Sequence, residues 1–118
     1  MGSQTIRLSV PAEPTYARSV RMMAANLAVV SGMSVDAVED VRMAAEEGFV
    51  YSCATGGANC DITFQVSASA VAIDFSLGAE EPSEDATGYA TLLLGAVCDE
   101  FDVDPSAAVL HLLMRAEA

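Results

Sequence analysis

"CDITFQVSASAVAIDFSLG", Cys60 to Gly78, is the stretch that decides the fold. Ile62, Phe64 and Val66 alternate with polar residues. After the short link Ser67-Ala68-Ser69, the residues Val71, Ile73, Phe75 and Leu77 alternate in the same way. Period-two alternation on both sides of so brief a connection is the pattern of a β-hairpin with one apolar face. Such a face has to be covered. The flanking segments are therefore expected to supply helices to lie on it and strands to extend it.

Directly upstream, "AAEEGFVYSCATGG" (Ala44 to Gly57) closes a long helical segment. Ser34 suits its N-cap, acidic Asp36, Glu39 and Asp40 favour its positive end, and Gly56-Gly57 terminate it. Val38, Val41, Ala45, Phe49 and Ser52 share one face, while Met43, Glu47, Val50 and Ala54 share the other. A helix apolar on two sides is expected to be covered on both, with Glu47 projecting into a packed layer or a pocket. Further upstream, Tyr16, Val20, Met23, Leu27 and Val30 fall four, three, four and three apart. That stripe predicts an amphipathic helix from Pro14 or Thr15 to Gly32. "TIRLSV", Thr5 to Val10, alternates as a first strand.

Downstream, Ala79 to Gly88 is predicted to be a polar loop and "YATLLLGAVCDE" a third helix. Phe101 and Val103 mark a short strand, Pro105 a turn, and "SAAVLHLLMRA" a largely buried last strand in which His111 is structural. The order strand, helix, helix, strand, strand, helix, strand, strand implies an α+β fold in one domain spanning residues 1–118. It is a two-layer sandwich with helices on one face of a mixed, mainly antiparallel sheet.

Composition narrows the function. At 118 residues with 53% hydrophobic and 19% charged, the chain can bury a core without disulfides or metals. The net charge is -12 and every basic residue is an arginine. Such a surface repels phosphate backbones and anionic membranes, so no direct nucleic-acid binding is expected; it would attract a basic protein partner, although acidity also simply keeps a domain soluble. Cys53, Cys60 and Cys98 have no zinc-like spacing and are expected to be free thiols in a reducing cytoplasm. A lone histidine cannot build a histidine-based metal site. With no signal peptide and no apolar run of about 18 residues, a cytoplasmic location is expected.

Three stretches carry a family resemblance: "PTYARSVR" (14–21), "VDAVEDVRMAAEEGFVYS" (35–52) and "GYATLLLGAVCDEFDVD" (88–104). With the element order, they resemble the anti-sigma regulatory factors, serine-protein kinases of the GHKL (histidine-kinase-like ATPase) superfamily. The resemblance implies a Bergerat-type fold and assigns roles. Glu47 takes the position of the catalytic base, with Glu46 beside it. Tyr51 takes that of the asparagine that ligates magnesium. Asp74 matches the adenine-reading aspartate, Gly78 and Gly88 the phosphate glycines, and Arg18 the partner-contacting arginine. The chain departs from the pattern at Tyr51, since a phenol with a pKa near about 10 is a poor magnesium ligand, and at Ser76 and Ala90, where glycines are expected. Glu80, Glu81, Glu84 and Asp85 would repel a triphosphate, and no lysine offsets them.

The resemblance therefore implies a degenerate member, with Glu47 a vestigial base, no cofactor and no turnover. It would bind a protein partner, a sigma factor or an antagonist-like protein, with a homodimer as the default assembly. The alternative is an ATP- and magnesium-dependent serine-protein kinase in which Ser52 or Glu46 supplies the missing oxygen. Plainer readings stay open. Glu46 and Glu47 form a solvated helix face, Arg18 is a surface charge or an internal ion pair, or the fold serves small-ligand sensing or dimer scaffolding.

Overall fold

The computed structural model describes residues 2–116. The strands are β1 (Gln4–Pro11), β2 (Asn59–Val66), β3 (Ala70–Ser76), β4 (Glu100–Asp104) and β5 (Val109–Arg115). The helices are α1 (Ala17–Val30), α2 (Val35–Cys53) and α3 (Glu84–Val97), and a 3-10 turn at Pro14–Tyr16 leads into α1. The sheet order is β1-β2-β3-β5-β4. All four pairings are antiparallel, where a mixed sheet was expected. A parallel pair needs a crossover, and the hairpin joins β2 to β3 directly, with Val66 opposite Val71 at its closed end.

Ile62, Phe64, Val66, Val71, Ile73 and Phe75 are buried on the helix side of the sheet, as the alternation predicts. They meet α2, whose N-cap is Ser34, its hydroxyl accepting from the Ala37 N–H at 3.1 Å. Gly48 lets α2 sink onto β3. A Cβ there would lie 2.5 Å from Cε1 of the fully buried Phe75. The second face of α2 is only partly covered, with Met43 and Glu47 half-buried and Val50 and Ala54 exposed.

The α1 stripe also sits differently from expectation. Val20, Ala24, Leu27 and Ala28 are buried, whereas Tyr16 and Val30 face solvent. Tyr16 lies in the 3-10 turn, off the α-helical period, and Val30 is the last helical residue. The helix ends on Gly32 at φ +84°, as a left-handed cap requires. α3 begins at Glu84, five residues before the predicted start. Ser83 caps it through the Ala86 N–H at 3.1 Å, and Glu84 and Asp85 occupy its first turn. No helix among the described residues is long and apolar enough to cross a membrane.

Candidate functional site

The sheet, the end of α2 and the start of α3 leave a cleft of about 790 Å³ between them. Tyr51 and Thr55 line it from the end of α2, and Leu77 to Pro82 from the chain leaving β3. Glu84, Thr87 and Gly88 contribute from α3, and Val103, Pro105 and Ala108 from the last turn of the sheet. Of the residues singled out in the sequence, Tyr51, Gly78 and Gly88 are brought together here.

The base of the cleft is organised by Thr55. Its hydroxyl donates to the Ser52 carbonyl at 2.5 Å and accepts from the Gly78 N–H at 2.7 Å. Its carbonyl accepts from the Glu80 N–H at 2.9 Å. Gly78 is glycine because backbone passes against backbone: a Cβ would lie 2.3 Å from the Thr55 carbonyl oxygen. Sequence reasoning passed over Thr55, and a hydroxyl just before a helix-ending glycine pair is a faint signal. Gly88 sits in the second turn of α3 with open space around its Cα, not in a phosphate-cradling loop. The expected loop is shortened by the Ser83 cap, which a serine followed by two acids already signals.

The remaining residues lie elsewhere. Glu47 is half-buried one helical turn before Tyr51, and burial, then the neighbouring Glu46 charge, pushes its carboxyl above the ordinary 4.5. Glu46 points to α1, where Arg21 Nη1 reaches its Oε1 at 2.7 Å. That pair gives Glu46 a partner on α1, away from the cleft lining. Ser52 is likewise committed, being buried with its hydroxyl donating to the Ser76 carbonyl at 2.6 Å.

Asp74 is the clearest correction. Ile73 and Phe75 point into the core, so Asp74 must point to the open face of the sheet. There it hydrogen-bonds Nδ1 of His111, its cross-strand neighbour on β5. His111 in turn is half-exposed rather than buried in its apolar run, because Leu110 and Leu112 take the inward positions. Arg18 is exposed in the first turn of α1 and makes no ion pair or hydrogen bond among the described residues.

The three cysteines are unpaired. Burial pushes the thiol of Cys53 up to about 11 and that of Cys98 up to about 12, and raises Cys60 as well. None is a thiolate nucleophile at neutral pH.

A nucleoside triphosphate fits this cleft poorly. The N–H groups of Gly78 and Glu80, which would approach a phosphate, are bonded to Thr55. Glu80, Glu81 and Glu84 line the walls, with no arginine or histidine among the lining residues. Among the described residues no group of three or more histidine, cysteine or acidic side chains is placed to hold a metal ion.

No family model and no curated protein matches this sequence. The fold is shared with the crystal structure of the RsbU and RsbW domains of Rv1364c from Mycobacterium tuberculosis, with a TM-score of 0.70 over 97% of this chain and 12% sequence identity. The present chain spans 32% of the length of that one. At that identity the likeness establishes the arrangement of helices and strands.

Proposed function

We propose that this chain is a regulatory protein-binding domain of the anti-sigma type, built on a GHKL-like fold whose nucleotide site does not turn over ATP. One observation carries the reading: the backbone N–H groups at the cleft floor are committed to Thr55. The walls are acidic as well. A polyphosphate would have to break the floor and approach carboxylates with no cation between. The shared fold with the RsbU and RsbW domains and the resemblance of the α1 and α2 sequences support a partner-switching role.

Arg18 has no ion pair or hydrogen bond among the described residues and is followed on the same outward stripe of α1 by Met22 and Val29, both more than half exposed. A charge at the end of an apolar stripe is the composition of a protein contact. The partner under this reading is a sigma factor or an antagonist-like protein. Titrating such proteins from the same organism against the wild type and Arg18→Glu tests it. A loss of about tenfold or more in affinity, with unchanged circular dichroism, is expected. Equal affinity removes Arg18 from the contact. Calorimetry with magnesium-ATP is expected to show no heat at millimolar nucleotide, and micromolar binding would overturn the proposal.

A serine-kinase reading draws on one observation, the raised carboxyl of Glu47 one turn from the cleft residue Tyr51. Phosphoryl transfer to a partner that vanishes in Glu47→Ala would establish it.

A further inference from the structure

The cleft continues into a smaller hollow of about 100 Å³ between α3 and the β4–β5 hairpin. Tyr51, Thr87 and Val103 line both. The inner walls of the hollow are mainly Ala90, Leu94, Phe101 and Leu110, with Thr91 and Asp102 also lining it, and they leave room for one apolar side chain. The outer rim carries Glu80, Glu81 and Glu84, exposed and in no ion pair among the described residues. Glu84 has a structural reason to be there, at the positive end of α3. Glu80 packs its side chain over Gly56, just past the end of α2, and Glu81 precedes the helix with no ion-pair or hydrogen-bond partner among the described residues. The concavity is thus mainly apolar within, anionic at its mouth, and has a phenol ring where the two parts meet.

The geometry points to a docking groove for a segment of a protein partner that carries an apolar side chain next to an arginine. The apolar side chain fills the hollow, and the guanidinium lies among the rim carboxylates beside Tyr51. Arginine suits the mouth better than lysine because its planar fork pairs with carboxylates and stacks on an aromatic ring. A peptide suits the site better than a small organic cation because hollow and rim are two separated features that a chain can engage together. The net charge of -12 draws such a segment in from a distance. The inference rests on the reading that the cleft is not a nucleotide site, and it is separate from the Arg18 contact.

The test is a titration of the isotopically labelled full chain with the peptide acetyl-Leu-Arg-Leu-Arg-amide, followed by NMR at physiological salt. Shifts confined to the amides of Tyr51, Gly78, Thr87 and Val103 are expected. Affinity should fall about tenfold when the arginines become glutamine, and again when the leucines become serine, since each feature is engaged by its own group. The variant Glu80→Gln/Glu81→Gln leaves the α3 cap intact and should weaken binding by a similar factor. Shifts spread equally over Asp36, Glu39 and Asp61 would overturn the inference, as would indifference to the loss of leucine or of the two carboxylates. Magnesium-ATP added to the same sample separates the two readings. Cleft shifts with ATP overturn the non-nucleotide reading, whereas silence to both ATP and the peptide overturns the docking groove alone.

Discussion

α2 and α3 begin in the same way and are buried very differently. Each is capped by a serine, carries acid in its first turn and lies on the same face of one sheet. α2 buries Ala37, Val41, Ala44, Ala45, Gly48, Phe49 and Ser52 and is pressed onto Phe75. α3 buries Ala90 and Leu94 and leaves Tyr89 and Leu92 in solvent, Leu92 at 75% exposure. The cap sets where a helix starts, whereas the burial behind it sets how firmly it is held. α2 is therefore the keystone of the core, and α3 is the adjustable wall of the cleft.

The strongest way to break this contrast is at the α2–β3 contact. Phe75→Ala should cost about 3–5 kcal/mol in urea unfolding, as large buried aromatics do. Gly48→Ala in the wild type forces a Cβ into the Phe75 ring and should lose about 1–3 kcal/mol by overpacking. Combined with Phe75→Ala, the same change should turn stabilising by about 1 kcal/mol, because helix propensity is then unopposed. A double-mutant cycle without that sign reversal would show that the ring does not set the depth of α2.

The next largest effect lies where the two regions are joined. Thr55→Val keeps the shape but strands the Gly78 N–H and should cost about 1–3 kcal/mol. It should also raise hydrogen exchange at Gly78 ahead of β3.

Ser34→Ala and Ser83→Ala each remove one cap and should each cost their helix about 1 kcal/mol. The comparison predicts different readouts. Ser34→Ala should lower the global melting temperature, and Ser83→Ala should mainly speed amide exchange within α3. Equal effects on global stability would place α3 in the same cooperative unit as α2.

The smallest effect is electrostatic. The folded-state pKa of Glu47 is raised by burial, so the folded protein binds more protons than the unfolded chain in the window above 4.5. Stability from this group falls as pH rises through that window and is restored below it. Glu47→Gln should therefore be more stable than wild type at pH 7 and indistinguishable from it below the ordinary carboxylate range. A constant difference across pH would assign the change to packing.

Much of the fold was legible because alternation and capping are local signals. The β2–β3 hairpin and the strand at Thr5–Val10 follow from spacing, and the span of α2 from its Ser34 cap and the terminating glycine pair. The sites were less legible because a family pattern read along the chain carries no information about which way each side chain points. The alternation that made Ile73 and Phe75 core residues also sends Asp74 to the open face, and the same reasoning sends His111 there from between Leu110 and Leu112. Other features were out of reach. The Arg21–Glu46 pair depends on how α1 crosses α2, and Thr55 acquires its role only when the chain returns 23 residues later at Gly78.

Thr55 also bears on how this surface could change over generations. Reversing the charge of Glu80 and Glu81 would leave the cleft amides still bonded inward. Releasing them by replacing Thr55 first would loosen the joint between α2 and β3 while the carboxylates still repelled a phosphate. Each step toward anion binding is useless or costly without the other, so residue 55 and the Glu80/Glu81 pair are epistatic to one another. A laboratory selection for nucleotide binding should stall on single substitutions and succeed with libraries that vary residue 55 together with residues 80 and 81.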